Sequence, residues 1–148
     1  MKDKEKEFYE LAEKYHRFIA ENVVTADSVP SLIDLLMKLY MSAMMLPEAE
    51  PETIRASSDH SDAVIVRFSE QIPTTYWEVF DPYVNTNPIC GDLVDDLSDI
   101  AADLRNGMIE YDAGRFGNAV FEWKFGFDNH WGQHIIDALR ALNSVRPR

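Results

Sequence analysis

Asp92, Asp96, Asp99, Asp103 and Glu110 are spaced so that a helix stacks them on one stripe. At about 100° per residue, the stripe lies roughly 100° from the seam of Leu93, Leu97, Ile100 and Leu104. That is the boundary of a core, not its far solvent side. Like charges at i,i+4 cost a helix about 0.2–0.5 kcal/mol per pair. The helix dipole relieves Asp92 and Asp95 at the N-terminus but does not extend to Asp99 or Asp103. Four things can offset the repulsion: a divalent cation, bases such as Arg115, Lys124 or Arg140 from a neighbouring helix, a basic partner protein, or plain solvation. Asp96, Asp99 and Asp103 can converge on one hard cation such as Mg²⁺ or Mn²⁺, which takes carboxylate oxygen.

His130 and His134 stand at i,i+4, a workable metal-ligand spacing. Trp131-Gly132-Gln133 lies between them, so the glutamate base of a zincin-type protease is absent. Two readings stay open: a mixed site of both histidines with an aspartate from the acidic helix, or two partly buried histidines bonded to carboxylates or backbone. Glu122 is about 80° round from His130 and falls outside such a site. Cys90 precedes the acidic helix, where a dipole could lower a thiol pKa, but no histidine neighbour is implied. There is no Gly-rich phosphate loop, nucleophile elbow or basic stripe.

The elements that must position these groups read as helices. Phe8, Leu11, Tyr15, Phe18 and Ile19 mark an amphipathic helix over 3–22. Asp27-Ser28 and Pro30 open a second, running to about Leu46 and apolar almost all round, which predicts a place in the middle of a bundle. Its Met37, Met41, Met44 and Met45 read as gap-filling core, and Trp77, Trp123 and Trp131 as core too. After a polar loop over 47–60, residues 62–71 have strand composition, but Asp62 is a good N-cap and no partner strand is evident, so a short helix is predicted. Another short turn covers 74–80, and Asp81-Pro82 and Asn85-Thr86-Asn87-Pro88 make a loop. The acidic helix, fourth in order, starts at Gly91 or Asp92, runs to about Asp112 and stops at Gly114. The last, over 116–145, has two apolar faces and a kink near Gly126 or Gly132. The fold class is therefore all-α, a single-domain bundle of about five helices over 1–148.

Composition sets the outer limits. A chain of 148 residues with 46% hydrophobic side chains builds one real core without disulfides or a structural metal. A net charge of −12 disfavours generic binding to nucleic acid or anionic membrane. One cysteine allows no intrachain disulfide and fits a reducing compartment. The charged N-terminus is unlike a secretion signal, and the apolar run from Val29 to Leu46 carries Asp34 and Lys38, unlike a membrane span. A cytoplasmic location is expected.

The second half resembles an uncharacterised bacterial family, domain of unknown function 5063. The resemblance is carried by Trp77-Glu78-Val79-Phe80-Asp81-Pro82, by Asp95-Asp96-Leu97-Ser98-Asp99-Ile100 and by Asp103-Leu104-Arg105-Asn106-Gly107. It continues through Tyr111, Gly114, Trp123, Phe125, Trp131-Gly132 and Ala138-Leu139-Arg140-Ala141-Leu142, covering about 62–145. It implies a small cytoplasmic helical protein with no assigned activity, and it weights the acidic run over the histidines. The metal-binding helix pair of all-α nucleotide pyrophosphatases is similar in kind. That class needs a second acidic pair on a facing helix, and the supply here is Glu10 and Glu13, whose distance in sequence from Asp96 departs from the pattern.

Three functions follow. The leading one is a non-enzymatic, inhibitor-type module whose acidic face of Asp92, Asp96, Asp99 and Asp103 meets a basic partner protein. The alternative is a divalent-metal-dependent hydrolase of nucleotides or phosphoesters, using Asp96, Asp99 and Asp103 with His130 or His134. The third is structural, with the aspartates paired to Arg115 or Arg140. Whether the chain is an enzyme stays open at this stage.

Overall fold

Phe8, Ala12, Tyr15 and Ile19 recur at helical spacing, and all four are fully buried along α1 (Lys2–Glu21). The computed structural model describes residues 2–52 and 63–148. Strand β1 (Val23–Val24) follows, then α2 (Val29–Met44), with Pro30 in its first turn and Leu32, Leu35, Leu36, Leu39 and Ala43 on its buried face. β2 (Arg67–Phe68) runs parallel to β1, with Val24 opposite Phe68. β3 (Thr75–Glu78) runs antiparallel to β4 (Ile89–Asp92), with Thr75 opposite Asp92 and Glu78 opposite Ile89.

α3 (Leu93–Asp112) begins on an aspartate cap: Asp92 Oδ1 accepts from the Val94 N–H at 2.7 Å. It ends where Gly114 takes φ 77° and its N–H bonds the Tyr111 carbonyl at 2.9 Å. The chain then turns back as α4 (Phe116–Gly126), one π-helical turn (Phe127–Trp131) and α5 (Gly132–Val145). Contacts of Glu110 with Asn118, Leu104 with Trp123, Asp103 with His130 and Asp96 with His134 run in opposite senses, so this long rod is antiparallel to α3. α1 crosses both: the Phe8 ring lies 4.8 Å from Trp123 and 6.1 Å from Trp131, and the Tyr15 hydroxyl donates to the Leu97 carbonyl at 2.7 Å.

The fold is mostly helical, and the all-α expectation is corrected by the two small sheets. The short helix expected over 62–71 is extended chain and β2 among its described residues; its cap, Asp62, and much of the 47–60 loop lie outside them. The partner strand thought missing is β1, two β-branched residues directly after α1. The turn expected over 74–80 is β3. The second helix is not central: Met37, Met41, Met44 and Met45 are 50–65% exposed, beside the buried leucines rather than among them. Trp123 and Trp131 are core, whereas Trp77 is 72% exposed. The second apolar face of the last helix is also not buried, since Phe125 and Ile136 stand exposed. The kink is a π turn between the two glycines named for it. No helix among the described residues is long and apolar enough to cross a membrane.

Candidate metal centre

The antiparallel pairing sets His130 and His134 against the acidic stripe of α3. The π turn contributes His130, and the first turn of α5 contributes His134. Gly126 makes room for the Trp131 indole of the same rod: a Cβ there would fall 2.9 Å from that ring.

Each imidazole is tied by Nδ1 to its own carboxylate. His130 Nδ1 lies 2.6 Å from Asp103 Oδ2, and His134 Nδ1 lies 2.8 Å from Asp96 Oδ1. An ionised carboxylate only accepts, so both Nδ1 atoms carry the proton. Neutral rings in that tautomer expose lone pairs at Nε2. The two Nε2 atoms are 3.2 Å apart, and Asp99 Oδ2 lies 3.2 Å from that of His134 and 3.8 Å from that of His130. In the neutral form of both rings, three electron-pair donors converge.

These separations suit an ion. Arms of roughly 2.0–2.1 Å in tetrahedral geometry place neighbouring ligand atoms about 3.3 Å apart. The carboxylate–histidine pairs have the form that fixes ligand tautomer and raises ligand basicity in zinc proteins. Asp99, His130 and His134 are the set that fits a metal among the described residues. Three protein ligands leave a fourth position open, as catalytic zinc sites do.

The electrostatics agree with the geometry. The hydrogen bond to Asp96 raises the His134 pKa; burial opposes it, and the charges of Asp96, Asp99 and Asp137 add to the rise. Asp96, only 5% exposed, also accepts a hydrogen bond from the Tyr76 hydroxyl of β3, and the Tyr76 pKa is driven far up by burial and that bond. Beyond Tyr76, burial and the neighbouring Asp137 carboxyl push Glu78 up to about 7.

The acidic ladder is therefore divided. Asp96 and Asp103 orient histidines, Asp99 offers a ligand atom and Asp92 caps the helix. Asp96, Asp99 and Asp103 do not converge as a three-carboxylate site. Glu110, the last rung, is buried with Arg115 and Asn118, so Arg115 pairs with it rather than with the aspartates, and Lys124 pairs with Asp128. Glu10 pairs with Lys6 and Glu13 lies near Tyr9, so neither joins the cluster. Cys90 is exposed on β4, opposite Trp77. Tyr76, Glu78 and Asp137 were not singled out from sequence. The alternation of Tyr76 and Glu78, both half-buried beside exposed Thr75 and Trp77, would have placed them on one face had 75–78 been read as a strand.

The chain belongs to the DUF5063 family, a domain of unknown function, which matches residues 1–147 and so includes α1 and α2 as well as the acidic half. Among solved structures it is similar to protein BF1032 from Bacteroides fragilis, with 21% sequence identity and a TM-score of 0.73 over 95% of this chain and 92% of that one. That likeness concerns the fold alone. No curated protein matches the chain significantly.

Proposed function

We propose that this DUF5063 chain is a divalent-metal-dependent hydrolase whose ion is held by Asp99, His130 and His134. The observation that carries the reading is the convergence of two Nε2 atoms and one carboxylate oxygen within 3.2–3.8 Å while both Nδ1 atoms are held by separate carboxylates. Imidazole donors shift the preference from Mg²⁺ towards Zn²⁺ and its neighbours. A water at the open position would have its pKa lowered towards 7, which makes it a nucleophile at neutral pH.

The test is equilibrium dialysis against Zn²⁺, Mn²⁺ and Mg²⁺ with metal analysis, followed by a screen of chromogenic esters and amides. Stoichiometric Zn²⁺ uptake that is lost in Asp99→Asn and His134→Ala is expected, with turnover that chelator removes. Absence of stoichiometric uptake of any of the three ions would falsify the reading.

A second reading is an acidic face that docks a basic partner protein. It draws support from Trp77, Phe80 and Tyr83, which are 72%, 84% and 95% exposed around the acidic residues Glu78 and Asp81. Pull-down with an immobilised basic partner surface, weakened by salt, would favour it over catalysis.

A further inference from the structure

A groove of about 800 Å³ runs between β3 and α5, and Trp77, Phe80, Tyr83, Glu78, Asp137 and Arg140 are among the residues that line it. It is connected to the centre through hydrogen bonds and through α5. Tyr76 lines it and bonds Asp96, which holds His134; Asp137 lies three residues, about one turn, beyond His134. The charge around the centre is negative. A divalent ion leaves one of the three charges of Asp96, Asp99 and Asp103 uncancelled, and Asp137 lies beside the groove with Arg140 further along α5.

Such a field repels a phosphate ester and attracts a cation. Aromatic walls next to carboxylates are also how proteins hold ammonium and guanidinium groups. We infer that the substrate of the proposed centre is a cationic acyl compound, an amide or ester bearing an ammonium or guanidinium group, with that group seated between Glu78 and Asp137 in the groove. The inference rests on the hydrolytic reading above and replaces its phosphoester branch. In the amide case the water oxygen bonds the carbonyl carbon and the C–N bond breaks, its electron pair going to nitrogen. Both water protons end on the leaving amine, giving a carboxylate and an ammonium ion. Glu78 and Asp137 recognise the substrate; they are not ligands of the ion. The two carboxyls lie within hydrogen-bonding reach of one another, so one cation can meet both.

The experiment uses the full chain loaded with Co²⁺, whose visible absorption reports ligation, and then with Zn²⁺. Lysine p-nitroanilide, p-nitrophenyl acetate and p-nitrophenyl phosphate are the probes. The lysine anilide is expected to be turned over and the phosphate to be left intact. Glu78→Gln and Asp137→Asn should each raise KM for the lysine probe about tenfold, the scale of one charged hydrogen bond, and leave the acetate KM unchanged. Cobalt spectra of both variants should match the parent. If the ion binds but the phosphate is the better substrate, or neither variant alters the lysine-to-acetate ratio, or the lysine probe is not cleaved, the substrate inference fails and the metal centre stands. A missing cobalt spectrum in the parent removes the centre and the inference with it.

Discussion

His130 and His134 meet edge to face, with ring centroids 4.7 Å apart and planes at 85°, so that their Nε2 atoms share one small volume with Asp99. Two free histidines one turn apart would not hold that pose. Asp103 and Asp96 hold it from behind, one carboxylate per ring.

Separate roles for ligand and orienting residues give a graded mutational series. Asp99→Asn should abolish ion-dependent thermal stabilisation, which for the parent at 100 times the dissociation constant is worth about 2.7 kcal/mol, or several degrees. Asp103→Asn keeps all three ligand atoms and loses one orienting anion, so its affinity should fall about 10–100-fold and not vanish. Calorimetric titration with Zn²⁺ separates the two; equal losses would contradict the assignment of roles.

Asp96 is buried between Tyr76 and His134. Replacing it with alanine leaves both partners short of a hydrogen bond, and the expected destabilisation is about 1–3 kcal/mol. Tyr76→Phe removes one of the two bonds and should cost less. Urea unfolding at neutral pH without metal measures both, and a neutral Asp96→Ala would show that the network contributes nothing to folding.

Stability should depend on pH in opposite senses at two places. The Glu78 carboxyl is raised from 4.5 to about 7, so the folded chain binds that proton more tightly than the unfolded chain does. Its stabilising contribution is present below the unfolded value and is lost as pH rises through 7. His16 is buried against the Ala101 carbonyl and its pKa is lowered, mainly by desolvation. It favours folding above its unfolded value near 6.5 and loses that contribution as pH falls. Denaturant midpoints from pH 5 to 8 should therefore fall less steeply towards high pH in Glu78→Gln than in the parent. An unchanged profile would remove the carboxyl pair as a source.

Gly107 lies where α3 meets Trp123, and a Cβ there would fall 2.1 Å from Trp123 Nε1. That nitrogen donates to the Leu104 carbonyl at 2.9 Å in a fully buried setting. Gly107→Ala must displace the indole or part the helices, a cost of about 1–3 kcal/mol or more. A lower melting temperature with red-shifted tryptophan emission is expected; retention of both would mean the helices yield freely.

The helices were legible because their signals are repeated many times. Leu93, Leu97, Ile100 and Leu104 mark α3 unmistakably, and Gly114 ends it. The sheets escaped notice for physical reasons. β1 and β2 are two residues each, too short for a period, and their pairing partner lies far off in sequence. In β3 the exposed residue is Trp77 and a half-buried one is Glu78, which inverts the apolar-in pattern that marks a strand. The methionines of α2 were placed in the core because composition does not tell a solvent face from a buried one. For the site, each half was visible as an i,i+4 repeat. The match between them spans 27 and 38 residues, which spacing alone does not reveal. The offsets weighed for the repulsion of Asp99 and Asp103 were a cation, arginine or lysine, a basic partner and solvent; in the structure His130 and His134 face them.

α1 raises a problem of timing during synthesis. Its Tyr15 and Tyr9 side chains bond residues 82 and 103 positions further along the chain. At about 5–20 residues per second, a ribosome delivers those partners roughly 4–20 s after the helix itself emerges. Until then α1 has α2 to cover part of its apolar stripe, and the rest faces the crowded surroundings of the exit tunnel. Its alternating lysines and glutamates keep that waiting helix dispersed, so its surface charge serves the nascent chain as well as the finished one.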